Sequence, residues 1–363
     1  MKTREMDAMK LSVLCALAFL AGAAPAVGQS PKLANNLQDM IAAAGKEGTL
    51  DLVWSSSLLG GASAAQQYAA AFNKKFGTHI EVKFSPGIEA ARFGNQLFTE
   101  LKAGQPASSD LYVGAAAQLI PLLRGDLFVP VPWKSLEPAE IADQGVEADG
   151  KALRIETALS GVTYNTNQVK NPPHLLTDFL QPQWKGKIAT TPYAASYDIL
   201  AANDLWGPKK TLDFIARLSG QASGLIRCGD VERIATGEFA AVVMECTDNA
   251  TRVWQERGAP VGYAIAADAA QKRYYYVSIP KNAQHPNAAA LFSLYLVSRA
   301  GQDLMWNVVR GELDSVPGSK VAKIIADNES KGIKFHDVTI AWWAGHPEID
   351  ATKTDMIKLL RSH

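Results

Sequence analysis

The chain has 363 residues, 36 basic and 36 acidic side chains, and 47% hydrophobic residues. A formal charge of zero leaves no basic excess to neutralise phosphates, which argues against nucleic acid as a partner. The length suits two domains of ordinary size, and the apolar share suits packed globular cores.

The N-terminus is patterned for export. Lys2, Arg4 and Lys10 precede an apolar run from 11 to 20, and small residues around Ala24, Ala26 and Gly28 follow. A basic start, a short apolar stretch and an Ala-x-Ala site describe a cleavable signal peptide over 1–28. The apolar run is about half the roughly 20 residues a membrane-spanning helix needs. Met9-Lys10 and the run after it form a complete signal alone, so either methionine can start it. Cys15 follows Leu14, where a lipidation site needs a small residue, so no lipid anchor is expected. Removing the three basic and two acidic residues of 1–28 leaves 33 against 34, a net of about −1. The expected product is a soluble export protein in the periplasm.

From Gly48 short apolar strands alternate with amphipathic helices. Strands are predicted over 50–54, 80–84 and 110–113, the second broken by Ser85-Pro86-Gly87. Between them, Ala65, Tyr68, Phe72 and Phe76, then Phe93, Leu97 and Leu101, recur at helical spacing. A second such block runs from Gly161. It has strands at 187–190, 224–227, 240–245 and 261–265, with helices opened by Pro208 and Asp248 and a short one ending at Gly237. Residues 274–279 are strongly β-prone, and the remainder reads as helices near 286–295, 321–328 and 352–360. Repeated strand–helix–strand units imply parallel sheets covered by helices. The fold class expected is α/β: two doubly wound lobes joined by two hinge strands, near 158–164 and 274–279. The lobes are 29–160 and 161–274, with 275–363 returning to the first lobe and its helices packing there.

Cys228 and Cys246 survive processing and end successive second-lobe strands, so an oxidising compartment allows a disulfide between them. Its loop of 18 residues would contribute roughly 3 kcal/mol on the chain-entropy model. No phosphate loop, Gly-x-Gly-x-x-Gly, Gly-x-Ser-x-Gly, His-Glu-x-x-His or Cys-x-x-Cys pattern occurs, and the six histidines are scattered. No cofactor and no enzymatic activity are expected.

Several segments carry a resemblance, in order along the chain. Tyr164-Asn165 is followed by Thr177-Asp178 and by Pro182-Gln-Trp184-Lys185-Gly186-Lys187-Ile188. Further on come Thr236-Gly237-Glu238, then Ile279-Pro280-Lys281 with His285-Pro286, then Ser298-Arg299-Ala-Gly301-Gln302. This set resembles the ferric-binding-like family of extracellular solute-binding proteins. The resemblance implies the type II periplasmic-binding fold, a ligand between two lobes, and a membrane permease of an ABC importer as partner, with the binding protein a monomer. In the iron-binding members adjacent tyrosines follow the Gly-Glu strand. Here those positions hold Thr247 and Asp248, and Ser55-Ser56-Ser57 occupies the first-strand loop where a histidine is common. Hydroxyls do not replace phenolates and carboxylates on a ferric ion.

In open α/β sheets ligands bind beyond the carboxyl ends of the strands. The candidates there are Ser56 and Ser57, then Thr191, Tyr193 and Ser196, then Thr247 and Asp248 with Asn249 beside them. For each hydroxyl residue a helix-capping role competes with ligand contact. Arg92 and Arg227 could each hold a carboxylate or phosphonate through paired hydrogen bonds. Glu245 and Asp248 would instead suit a cation such as a polyamine or thiamine, with Tyr193 or Trp54 stacking on it. Tyr274, first of three tyrosines, completes the set, although strand alternation turns that triple to opposite faces. The expected ligand is a small organic or phosphorus-containing anion. Ferric iron, a polyamine or thiamine are the alternatives, and a periplasmic enzyme or a sensor subunit would be a different class.

Overall fold

The structure, a computed structural model, describes residues 32–55, 58–137 and 139–362. The predicted signal segment, Ser56 and Ser57 lie outside the described residues.

The first lobe begins with α1 (Leu37–Glu47), whose N-cap Asn36 accepts a hydrogen bond from the Asp39 N–H. Strand β1 (Thr49–Ser55) pairs in parallel with β2 (Glu81–Gly87), with α2 (Gly61–Phe76) connecting them. The buried stripe of α2 is Ala64, Ala65, Tyr68 and Phe72, one helical face as the spacing predicts. Then come α3 (Ala90–Lys102), β3 (Tyr112–Ala115), α4 (Ala116–Arg124), the short α5 (Trp133–Leu136), β4 (Val146–Glu147) and the long β5 (Ala152–Leu159).

The chain crosses through Ser160 into β6 (Gly161–Asn165), the first strand of a second sheet. That lobe continues with β7 (Ile188–Thr190), α6 (Gly207–Gln221), β8 (Gly224–Leu225), α7 (Glu232–Ala235), β9 (Ala241–Glu245), α8 (Asn249–Glu256) and β10 (Val261–Ala264). Residues 265–270 carry the chain back to β11 (Gln271–Ser278) in the first lobe. After it come α9 (Pro286–Val297), α10 (Arg299–Val309), α11 (Lys320–Glu329), β12 (His336–Val338), α12 (Ile340–Ala344) and α13 (Pro347–Leu360). Among the described residues no helix is long and apolar enough to cross a membrane.

The second-lobe sheet has the order β10-β6-β9-β7-β8, and the first-lobe sheet β12-β11-β5-β4, with β3 on β11. Both are mixed rather than purely parallel. Strand β7 runs parallel to β8 and β9, but β6 and β10 are antiparallel to their neighbours, because each connects directly to a strand of the other lobe. Strand β2 runs through Pro86 instead of stopping before it. Its sole strand partner among the described residues is β1, so the missing N–H of Pro86 faces no partner.

The return crossing precedes the one expected at 274–279: those residues lie inside the first-lobe sheet, where Tyr275 pairs with Ala115 and Glu156. The last helix also departs from expectation. In α13, Met356 and Leu360 share a core with Phe214 and Ile215 of α6, so the tail ends on the second lobe. Helix α9 is buried at all twelve positions and forms the centre of the first-lobe core beside α1. A helix apolar all round has no face to give to water.

Candidate ligand-binding cleft

The two crossings are tied to each other. Ser160 and Ser196 share a hydroxyl hydrogen bond of 3.0 Å, and the Gln271 amide donates to the Ser196 carbonyl at 3.0 Å. Tyr263 of β10 donates its hydroxyl to the Leu159 carbonyl of β5 at 2.7 Å. Around this junction the carboxyl ends of β7 and β9 meet β5 and β11 of the first lobe.

A cluster of buried polar groups lies there. Glu245 ends β9, is fully buried, and accepts hydrogen bonds from the N–H groups of Gly229 and Cys246, each 3.0 Å. Its second oxygen has no partner. Asp248, also buried, pairs with Arg252 one turn along α8, and its other oxygen is likewise unpartnered. Glu156 of β5 accepts from the Asn249 amide, a contact between lobes. Arg252 continues across the junction to the Arg310 carbonyl at 2.8 Å, and Arg273 of β11 donates to the Cys246 carbonyl.

Burial pushes the carboxyls of Glu156 and Glu245 each up to about 7 and raises that of Asp248 as well. Neighbouring acids add to this: Asp248 raises Glu156, and Asp230 raises Glu245. Tyr193 and Tyr275 stand partly exposed beside these acids, and burial raises both phenols. Tyr193 also feels the charge of Glu89, just ahead of α3 in the first lobe, so the two strand-end faces are within electrostatic reach of each other.

The structure brings some of the predicted residues together and sends others elsewhere. Tyr193 accepts a hydrogen bond from the Cys228 N–H at 2.7 Å, at the edge of the cluster. The Thr247 hydroxyl accepts from the Asn249 N–H at 3.0 Å, which is a turn-capping role. Asp248 holds the N-cap position of α8 but gives its carboxylate to Arg252 rather than to the backbone. The Thr191 hydroxyl is buried and donates to the Tyr193 carbonyl at 3.0 Å. Ser196 serves the crossing, with a φ of 75°.

Arg92, in the first turn of α3, and Arg227, beside Tyr193, are both exposed, and neither makes an ion pair among the described residues. Tyr274 is the correction. It points into the first-lobe core with Tyr112 and Phe128, under the Arg154 guanidinium, and donates its hydroxyl to Asp337 at 2.6 Å. Alternation puts Tyr275 on the other face, paired with Glu156. Trp54 is 3% exposed and packs at a tilt against Phe84, which removes it from ligand stacking.

Cys228 and Cys246 form a disulfide, with Cα atoms 5.5 Å apart. Their strands are not neighbours, since β7 lies between β8 and β9. The bond is made beyond the strand ends, where the two loops close over the end of β7. Two cavities lie outside the cluster. One of about 430 Å³ sits in the first lobe between Ile141, Leu153, Val297 and Leu313, and its arginines are committed: Arg154 to Glu147, Arg299 to Asp303. The other, about 130 Å³, lies beneath the return crossing beside Asp268 and Gln271.

Sequence reasoning missed Glu156, Arg252, Arg273 and Tyr275. Only Glu156, an acid at the centre of a strand buried at every position, carried a local signal.

The profile of the bacterial extracellular solute-binding proteins matches residues 67–330. The chain belongs to this family. The fold agrees, since solved periplasmic binding proteins of the two-lobed type II kind superpose on it. Iron-bound HitA from Pseudomonas aeruginosa is 18% identical, with a TM-score of 0.66 over 86% of this chain and 98% of that one. AgtB from A. tumefaciens, in complex with agropinic acid, is 16% identical, with a TM-score of 0.65 over 91% and 99%. AfuA from Actinobacillus pleuropneumoniae, with fructose-6-phosphate bound, is 19% identical, with a TM-score of 0.59 over 73% and 84%. At such identities the likeness is one of fold, and those ligands belong to those proteins. An uncharacterized protein of Haemophilus influenzae is 28% identical over 190 residues, 48% of this chain and 54% of that one. The chain thus spans about half the length of that curated relative.

Proposed function

We propose that this solute-binding protein is exported to the periplasm, captures a small solute between its lobes, and delivers it as a monomer to the permease of an ABC importer. The observation that carries the reading is the meeting of strand ends at the crossing. Tyr193, Glu245 and Asp248 from the second lobe gather against Glu156, Arg273 and Tyr275 of the first. Groups from two hinged lobes around one junction are what a closing binding site requires. Exposed Arg227, beside Tyr193, suits an acidic group on the solute, whether carboxylate or phosphorus oxyanion, and exposed Arg92 on α3 is the first-lobe candidate for the same role. The ferric alternative has less support: Tyr193 and Tyr275 are held toward the neutral phenol, and a hard ferric ion wants the phenolate.

The test is calorimetric titration of the ligand-stripped protein with a solute panel, alongside small-angle scattering. A bound solute at 100 times its Kd should stabilise the fold by about 2.7 kcal/mol and reduce the radius of gyration. It should be recovered chemically unchanged. A solute converted to product would replace binding with catalysis, and stabilisation without compaction would remove the cleft as its site.

A further inference from the structure

We infer that the floor of the cleft, formed by Glu245 and Asp248 with Glu156 beside them, receives a protonated amine or guanidinium of the solute. This rests on the proposed reading of the cleft, and it adds a cationic group to the acidic one suited to the mouth.

The hydrogen-bond balance of the floor supports it. Three carboxylates are gathered with two arginines. Arg252 is committed to Asp248 and the Arg310 carbonyl, and Arg273 to the Cys246 carbonyl. Among the described residues three acceptor oxygens of the floor have no donor: Oε2 of Glu245, Oδ1 of Asp248 and Oδ1 of Asn249. Glu245 is 0% and Asp248 3% exposed, so bulk water does not satisfy them. An unpartnered buried acceptor costs about 1–3 kcal/mol, and more when it is charged. Against these, among the described residues, stand Nε of Arg273 and the hydroxyl of Tyr68, which faces Glu156.

A solute adding oxygens here would deepen the surplus. An ammonium, with three donors and no acceptor, reduces it. The partly exposed rings of Tyr193 and Tyr275 beside the acids offer a cation further stabilisation. A soft metal does not fit as the occupant. The sulfurs beside Glu245 belong to Cys228 and Cys246, which are bonded to each other and supply no thiolate.

The charge state sets a direction with pH. Glu245 faces Asp230, Arg273, Tyr193, Tyr263 and Tyr275, and Glu156 faces Asp248, Arg252, Tyr68 and Tyr275. Without a cation both acids sit near half protonation at neutral pH, and a bound ammonium favours their ionised forms. Affinity for an amine therefore rises from pH 6 to pH 8.

Titration with matched pairs differing only in the amine tests this: 4-aminobutanoate against butanoate, 3-aminopropylphosphonate against propylphosphonate, with 1,4-diaminobutane added. The expected result is binding of an amine at least about 30-fold tighter than its partner, with a loss of similar size in Glu245→Gln. Asp248→Asn serves as the second variant, so that misfolding of one leaves a folded reporter. Equal affinity within each pair, unchanged affinity in a folded variant, or silence of every amine would overturn the inference. Compaction on binding a compound without an amine would remove the cationic group but keep the cleft. If no compound compacts the protein, both readings fall.

Discussion

Glu156 and Glu245 carry a consequence measurable without any ligand. Burial disfavours the charge of each and pushes its carboxyl up to about 7 in the folded protein, against an ordinary value of 4.5. Between those two pH values the folded chain holds protons that the unfolded chain has released, so stability falls as pH rises through that window and levels off above it. His336 opposes this, since burial lowers its value, but burial also raises the carboxyls of Glu47, Asp198 and Asp248, which act in the same sense as the two glutamates. Asp126, exposed and held at about 2 by Lys281 and Lys151, acts only below pH 4. The melting temperature should therefore drop by several degrees from pH 5 to pH 7.5, and Glu245→Gln should flatten the slope. A melting temperature that climbs over this range, in both proteins alike, would show that these acids are ionised at rest. At this scale the sequence exposed Glu245, Asp248 and Tyr193, because each follows a recognisable strand. It hid Glu156, which lies 93 residues from Asn249 and meets it only through the crossing of lobes.

Individual elements were legible where one physical signal dominated. The α2 and α3 stripes follow from 3.6-residue spacing, and α6 opens at its proline as that residue's fixed φ favours. Strand ends were less so. Backbone pairing, which local composition does not encode, decides that β2 runs through Pro86 and that β8 stops at Leu225. Helix α9 shows the same limit. Helical spacing alone turns one face inward, with Leu291, Phe292 and Tyr295, whereas α1 and α10 cover its other faces and bury all twelve residues. Phe292, with its ring 5.4 Å from that of Phe72, sits at the centre of this packing. Phe292→Ala should cost about 3–5 kcal/mol, measured as a fall in the denaturant midpoint at unchanged slope. A loss below about 1 kcal/mol would mean that the core closes over the gap and that α9 is not the rigid axis of the first lobe.

At the scale of the molecule, the alternation of strands and helices announced two α/β lobes. It could not announce the mixed sheets, or the last helix crossing to the second lobe, since both depend on where the chain returns. The return also builds the hinge contact. Helix α8 of the second lobe lies against the end of α10 in the first, through Arg252 to the Arg310 carbonyl and through the ion pair of Arg310 with Glu256. The exposed ion pair is worth little, since surface pairs contribute about 0–1 kcal/mol. The steric fit beside it matters more. At Gly311 a Cβ would lie 2.3 Å from Glu156 Oε1 and 2.7 Å from Asn249 Nδ2, so a methyl there would displace the two side-chain ends that make this contact between lobes. Gly311→Ala should therefore hold the junction apart. The ligand-free protein would show a larger radius of gyration, and affinity would fall at least about tenfold, the equivalent of 1.4 kcal/mol. Arg310→Ala should change both far less. Should Gly311→Ala leave radius and affinity unchanged, the Glu156–Asn249 contact would be a passive feature of one lobe arrangement, and closure would have to be governed at the mouth of the cleft instead.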